Sequence, residues 1–207
     1  TLTTSLFYKT TRDVIRRYIE VAETGVAYRT FVNLARQSNS GLEVVAMWRK
    51  GRTLQVRLNG SVYYQSTDGS NLAPDLGNNG FQGNAGYQVS ALVKGDWKVQ
   101  LDGRYRAPAE YPQGTFAGYV SHSAAVNRDF YDGKLRASVR VSDLFDQRQW
   151  SYTSEGSDFF QDGTFKRQSR FVYASLTWSW GKLEPGQKRG RGGYDRSSGG
   201  SFEGDEF

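Results

Sequence analysis

The sequence predicts an all-β fold, an antiparallel transmembrane β-barrel with about eight strands in this chain, and three observations carry the prediction. Apolar and polar residues alternate with period two through long segments. The links between those segments are short at one end and long and polar at the other. Aromatic residues gather at both ends of the apolar face, as in the girdles of a barrel in lipid.

Strands are expected over residues 2–19, 26–49, 53–66, 83–94, 97–107, 117–130, 134–152 and 166–180. The first is interrupted from Thr10 to Asp13, and the second ends at the Lys50-Gly51 turn. In the third, Leu54, Val56, Leu58, Gly60, Val62 and Tyr64 oppose Gln55, Arg57, Asn59, Ser61, Tyr63 and Gln65. From Leu54 to Tyr64 the chain spans roughly 33 Å. Tilted by about 40°, that length covers the roughly 25 Å of an apolar band. In the fifth, Trp97, Val99, Leu101, Gly103 and Tyr105 oppose Lys98, Gln100, Asp102, Arg104 and Arg106. The sixth is mixed, because His122 and Arg128 share a face with Val120, Ala124 and Val126.

In the seventh, Leu135, Ala137, Val139 and Val141 oppose Lys134, Arg136, Ser138, Arg140 and Ser142. Continued strictly, that alternation turns Asp143 toward lipid, where a charge is unfavourable. A β-bulge near Ser142 is the expected remedy. The last strand sets Val172, Ala174, Leu176, Trp178 and Trp180 against Phe171, Tyr173, Ser175, Thr177 and Ser179.

Lys50-Gly51, Gly95-Asp96 and Asp132-Gly133 read as tight hairpin turns whose glycines accept positive φ. Thr67 to Gln82, Ala107 to Phe116 and Thr153 to Phe165 read as long polar loops. Trp48, Trp97, Phe130 and Trp180 lie on the apolar face near the short-turn end; Tyr64, Tyr87 and Tyr105 lie near the other. With Trp178, these aromatics form the candidate girdle. A soluble β-sandwich also alternates and stays open as an alternative, a binding module using its aromatics on glycans; its strands are usually about five or six residues long.

Composition narrows the function. There is no cysteine and one histidine, His122, which removes disulfides, thiolate sites, most zinc sites and any Ser/His or Cys/His pair elsewhere. No apolar run approaches the roughly 18 residues of a helical span. No enzyme and no cofactor is expected. The net charge of +6 is partly local to Lys188, Arg189, Arg191 and Arg196.

Three stretches resemble the C-terminal barrel of TonB-dependent outer-membrane transporters, particularly of the Bacteroidetes-type outer-membrane β-barrel group. Val32-Asn33-Leu34 followed by Asn39-Ser40-Gly41-Leu42-Glu43 is similar to the stretch entering a long inward strand. Val141-Ser142-Asp143-Leu144-Phe145-Asp146 is similar to a segment near the barrel's end, and Arg170 to Gly181 to the terminal strand. The resemblance implies a barrel of roughly 22 strands around a plug. Most of the wall, the plug domain and the box that engages the energy-coupling protein would then lie upstream. An eight-stranded closed barrel is the smaller alternative. The implied setting is the cell outer membrane, with long loops extracellular and with short turns and tail periplasmic. A passive pore or structural barrel without energy coupling is the rival function.

The candidate lumen-facing residues are Arg57, Asn59, Lys98, Asp102, Arg104, Arg136 and Arg140. They pair with one another, meet a plug or line a path for an anionic solute. Asp68, Asn71, Asp75, Asn78, Tyr111, Asp158 and Asp162 are the loop candidates for capture of an unknown small nutrient. Barrel strands are expected over 1–181 and a flexible Gly/Arg-rich tail over 182–207. Within that tail, Gln187 to Tyr194 resembles an RGG segment. Following a final barrel strand, it is expected to meet anionic headgroups or another envelope protein, with no nucleic acid as partner.

Overall fold

A computed structural model describes residues 1–180 apart from 75, 95 and 157. The RGG-like segment and the rest of the tail lie outside the described residues, as does the loop candidate Asp75.

Among the described residues, twelve strands form two sheets. The strands are β1 (Leu2–Val21), β2 (Ala27–Lys50), β3 (Leu54–Asp68), β4 (Gly77–Val93), β5 (Trp97–Arg106), β6 (Ala109–Tyr111), β7 (Gly114–Phe116), β8 (Tyr119–Phe130), β9 (Leu135–Ser142), β10 (Trp150–Gly156), β11 (Phe159–Phe165) and β12 (Phe171–Trp178). The large sheet has eight strands in the order β1-β2-β3-β4-β5-β8-β9-β12, antiparallel throughout. It does not close, so β1 and β12 are its edges. The small sheet has the order β11-β10-β7-β6.

The registers put the apolar positions of neighbouring strands side by side. Leu6 stands opposite Leu42, Leu42 opposite Val62, and Ala46 opposite Leu58. Leu101 stands opposite Ala124, which faces Val141, and Val141 faces Val172. This face is not covered: Leu6 is 85% exposed and Leu176 76%, and Leu2, Leu58, Val62, Leu101, Val139 and Val172 are exposed beside them. Among the described residues the buried apolar side chains are Leu34, Ala109 and Ala125. A water-soluble sandwich hides one face of each sheet. Here the apolar face of a whole eight-stranded sheet is bare, an area far beyond what soluble monomers expose.

The tight turns at Gly51 and at Asp132-Gly133 use φ values of 54°, 53° and 85°, and Asp96 has φ 64°. At the opposite end the links are longer. The first strand does not break at Thr10–Asp13. Its pairing with β2 keeps one register from Leu2↔Ala46 to Val21↔Ala27, but Asp13 has φ 52° and inverts the faces. Before it, odd residues bond to β2, as when Thr1 and Met47 exchange both backbone bonds. After it, even residues do, as when the Ala22 N–H donates to the Val26 C=O. Side chains invert likewise. Arg16 donates to Gln37 Oε1 at 2.6 Å, although strict alternation would place them on opposite faces.

The expected strand over 134–152 is corrected: β9 ends at Ser142, and residues 150–156 belong to the small sheet. Asp143 (φ 45°) and Asp146 (φ 54°) take left-handed conformations that turn the chain out of the sheet. Termination, not a bulge inside a strand, resolves the position of Asp143. It is 3% exposed, and its carboxylate accepts the N–H groups of Gln147 and Arg148 and the Ser169 hydroxyl. Burial pushes its pKa up. The Ser169 hydroxyl, the N–H groups of Arg148 and Gln147 and the Arg170 charge outweigh that and hold the carboxyl below its ordinary value.

The loops differ too. The 67–82 link shrinks to 69–76, because β3 and β4 pair as far as Asp68↔Gly77. The 107–116 and 153–165 links are themselves largely strand: β6 pairs with β7, and β10 with both β7 and β11.

Candidate functional site

The site is the concave side of the large sheet, together with the small sheet that crosses its long-loop end. Tyr111 of β6 lies under the Arg16 guanidinium of β1, 5.7 Å from the ring centre. In the sheet order β1 and β5, which leads into β6, are separated by three strands. That is about 19 Å along a flat sheet, so the contact forms across the hollow of a curved one. The Gln113 amide bonds the backbone of Ile19 at 2.8 and 3.0 Å, and Arg29 donates to Gln161 Oε1 at 3.1 Å. On its other flank the small sheet is tied to β4, where Asn78 Nδ2 donates to the Glu110 C=O at 2.8 Å.

Cross-strand register separates the two faces of this sheet. Tyr111, Phe116 and Tyr152 follow one another across β6, β7 and β10, with ring centres 5.0 and 6.2 Å apart. Arg16 over Tyr111 marks that face as the one turned toward β1. Glu110, Thr115, Thr153 and Asp162 form the row on the opposite face, where Thr115 and Thr153 share a 2.6 Å hydrogen bond. That row and Phe81, with Phe116 and Tyr152 at the strands between, line a groove of about 660 Å³.

Below the crossing sheet the concave face is polar. Arg16, Gln37, Gln65 and Thr67 form a ladder with links of 2.6, 3.3 and 3.5 Å. Gln37, Gln65 and Thr67 are buried, each satisfied by its neighbour, as buried polar groups must be. Further along, Arg140 bonds Asp102 at 3.0 and 3.2 Å. Asp129 accepts from both Lys98 (2.8 Å) and Arg136 (2.6 Å). Asn59 lies over Gly86, whose added Cβ would come within 2.9 Å of Asn59 Oδ1. Arg57 and Arg104 make no ion pair among the described residues.

Among the loop candidates, Asp68 Oδ1 accepts the Ser70 N–H at 3.0 Å. Asn71 reaches 2.8 Å to both the Ala35 N–H and the Asn33 C=O, filling the stretch of β2 edge that β3 does not reach. Asn78 holds β6, Tyr111 meets Arg16, and Asp162 pairs with Thr153 inside the small sheet. Asp158 follows β10 just before Phe159. The structure places Tyr111 and Asp162 in the small sheet, with Asn78 of β4 bonded to it, and leaves Asp68 at the end of β3 and Asn71 in the 69–76 turn. Gln113, Gln161, Arg16, Phe116 and Tyr152 are missing from the sequence-based candidates. The aromatics at 111, 116 and 152 carried a signal in their density; the glutamines carried none.

The apolar face shows its aromatics at the strand ends. Trp48, Trp97 and Trp178 are exposed at the short-turn ends of β2, β5 and β12, with Trp180 just beyond. Tyr64 and Tyr105 are exposed toward the other end, and Tyr64 meets Phe81 edge-on at 5.3 Å. Tyr87 instead crosses Gly103 to share a 2.9 Å hydrogen bond with His122. Arg128 folds over Trp97 and Phe130, 5.1 and 4.7 Å from the ring centres, keeping its charge at the end of the apolar face.

No curated protein and no solved structure gives a significant match to the sequence. A family model described as "Outer membrane protein beta-barrel family" matches residues 1–178, which takes in every strand of both sheets. With its bare apolar face and polar hollow, the chain belongs to that family of outer-membrane β-barrel proteins.

Proposed function

We propose that this chain is the C-terminal wall of a TonB-dependent nutrient transporter, with β1 and β12 continued by strands outside the chain and a plug seated in the lumen. On this reading the long-loop end is extracellular, and the short turns and the tail are periplasmic. The crossing sheet is the observation that carries the proposal. A passive pore works best with a clear mouth, whereas here aromatic Tyr111, Phe116 and Tyr152 stand across it, facing the hollow. Such a surface suits holding a solute at the mouth of the lumen, and the paired charges of the wall below suit contact with a protein plug. The unpaired β1 edge supports continuation, because backbone groups in lipid must be satisfied.

The test is binding of the intact protein to the periplasmic domain of the energy-coupling protein, together with conductance in planar bilayers. Binding with little steady conductance is expected. No binding and a constantly open channel would establish the passive pore instead.

A further inference from the structure

We infer that the four-stranded sheet β11-β10-β7-β6 is a hinged cover over the barrel mouth, latched by the Gln113 side chain on the backbone of Ile19, at the mouth end of β1. Gln113 Oε1 accepts the Ile19 N–H at 2.8 Å, and its Nε2 donates to the Ile19 C=O at 3.0 Å. A residue of a neighbouring strand makes the same pair of bonds in an antiparallel ladder. Ile19 offers this position because of the inversion at Asp13. With even residues bonded to β2 beyond it, the N–H and C=O of Ile19 point away from the sheet. A primary amide carries one donor side and one acceptor side in one plane, so Gln113 replaces a strand residue at that point.

The cover is held unequally. On the flank near β4 and β9 its attachment is covalent and dense: Asn78 grips β6, the Ala107 N–H bonds the Gly83 C=O at 2.9 Å, and Asp143 knots the exit from β9. On the flank near β1 the contacts run through side chains, among them Gln113 on Ile19, Arg29 on Gln161 and Arg16 over Tyr111. A recess of about 440 Å³ between Phe159, Phe160 and Gln161 on one side and Ile19, Ala27 and Arg29 on the other replaces apolar packing there. Regions held by few buried apolar contacts open most readily. The flank near β1 therefore lifts while the flank near β4 and β9 serves as the hinge. Lifting uncovers Tyr111, Phe116 and Tyr152 to solutes outside. The inference concerns the mouth alone and holds whether or not transport is energy-coupled.

The 207 residues contain no cysteine, so two spin labels placed here meet no other thiol in these strands, and any cysteine elsewhere in the intact protein is first replaced by serine. Glu20 adjoins the latch and is exposed; Glu155 is exposed on β10, and its N–H bonds the Gln113 C=O at 3.0 Å. Nitroxides at Glu20→Cys and Glu155→Cys, in the intact protein in lipid nanodiscs, report the gap by electron–electron distance measurement. The parent is expected to give one short, narrow distance. Gln113→Ala is expected to add a longer, broader population, and Gln113→Glu, which keeps the acceptor for the Ile19 N–H but loses the donor, a smaller one. The glutamate variant is the milder change and serves the comparison if the alanine variant folds poorly. Distances unchanged by either substitution, or a parent already at the long distance, would overturn the latch.

Discussion

Tyr87 and His122 share a hydrogen bond of 2.9 Å across β5, at the one position where that strand has no side chain to intervene. A Cβ on Gly103 would lie 2.2 Å from Tyr87 Cε1 and 2.8 Å from His122 Nδ1. The tyrosine covers the glycine, the glycine admits the tyrosine, and the imidazole gains a partner on the apolar face. Gly103→Ala is expected to expel the ring and cost about 1–3 kcal/mol through overpacking. Tyr87→Phe, which keeps the packing, is expected to cost about 1–2 kcal/mol by stranding His122. Urea unfolding in lipid vesicles measures both. Equal stability of parent and Gly103→Ala would refute the packing account.

Leu58 and Asn59 are sequence neighbours on opposite faces of β3, opposite Ala46 and Val45 respectively. Leu58→Arg is expected to cost about 2–4 kcal/mol if it sits at the bilayer midplane. Asn59→Arg points to the polar side and is expected to be tolerated. The same vesicle assay decides, and equal costs would count against the assigned faces.

Asp143 gives a pH dependence with a definite sign. Its carboxyl is held below its ordinary value, so it contributes stability that is fully present above the unfolded pKa of about 3.9. That contribution fades as pH falls through the folded value. Asp143→Asn is expected to cost about 2 kcal/mol at neutral pH, since hydrogen bonds to a charged acceptor exceed those to a neutral one. The gap from the parent should narrow below about pH 4. A gap that stays constant down to pH 2 would mean the charge is not what matters there.

Asn71 replaces an absent strand for two backbone groups of β2. Asn71→Ala is expected to lower stability only slightly, about 1 kcal/mol, because water can reach the site. The Ala35 amide should nevertheless exchange its hydrogen faster, which mass spectrometry reads directly. Unchanged exchange at Ala35 would show that the asparagine is dispensable to that edge.

Period-two alternation made the large sheet legible, because a sheet with lipid on one side and a polar hollow on the other must alternate along every crossing strand. The reading of 134–152 as one strand failed at Asp143. A left-handed aspartate ends a strand without disturbing the hydrophobic pattern before or after it. The hairpins inside 107–116 and 153–165 were invisible for a different reason. Three-residue strands such as Ala109–Tyr111 and Gly114–Phe116 are too short to show a period, and β10 is held by β7 across a long stretch of intervening chain. Polar residues in the 67–82 link read as free to bind a ligand, yet Asn71 and Asn78 are engaged with backbone groups. Side chains that tie off a strand edge have the same composition as side chains that await a solute.

The inversion at Asp13 divides β1 into two texts written in opposite phase. Up to Arg12 the even letters are addressed to hydrocarbon; from Val14 onward they are addressed to the hollow, which is how Arg16 comes to lie over Tyr111. Were Asp13 an ordinary extended residue, every side chain of the strand would keep its place in sequence and the second half would reverse its meaning. Arg16 would swing outward, and the edge offered to Gln113 would pass from Ile19 to its neighbours. One residue with an unusual backbone angle thus sets how far lipid-facing grammar runs up the wall before the mouth begins.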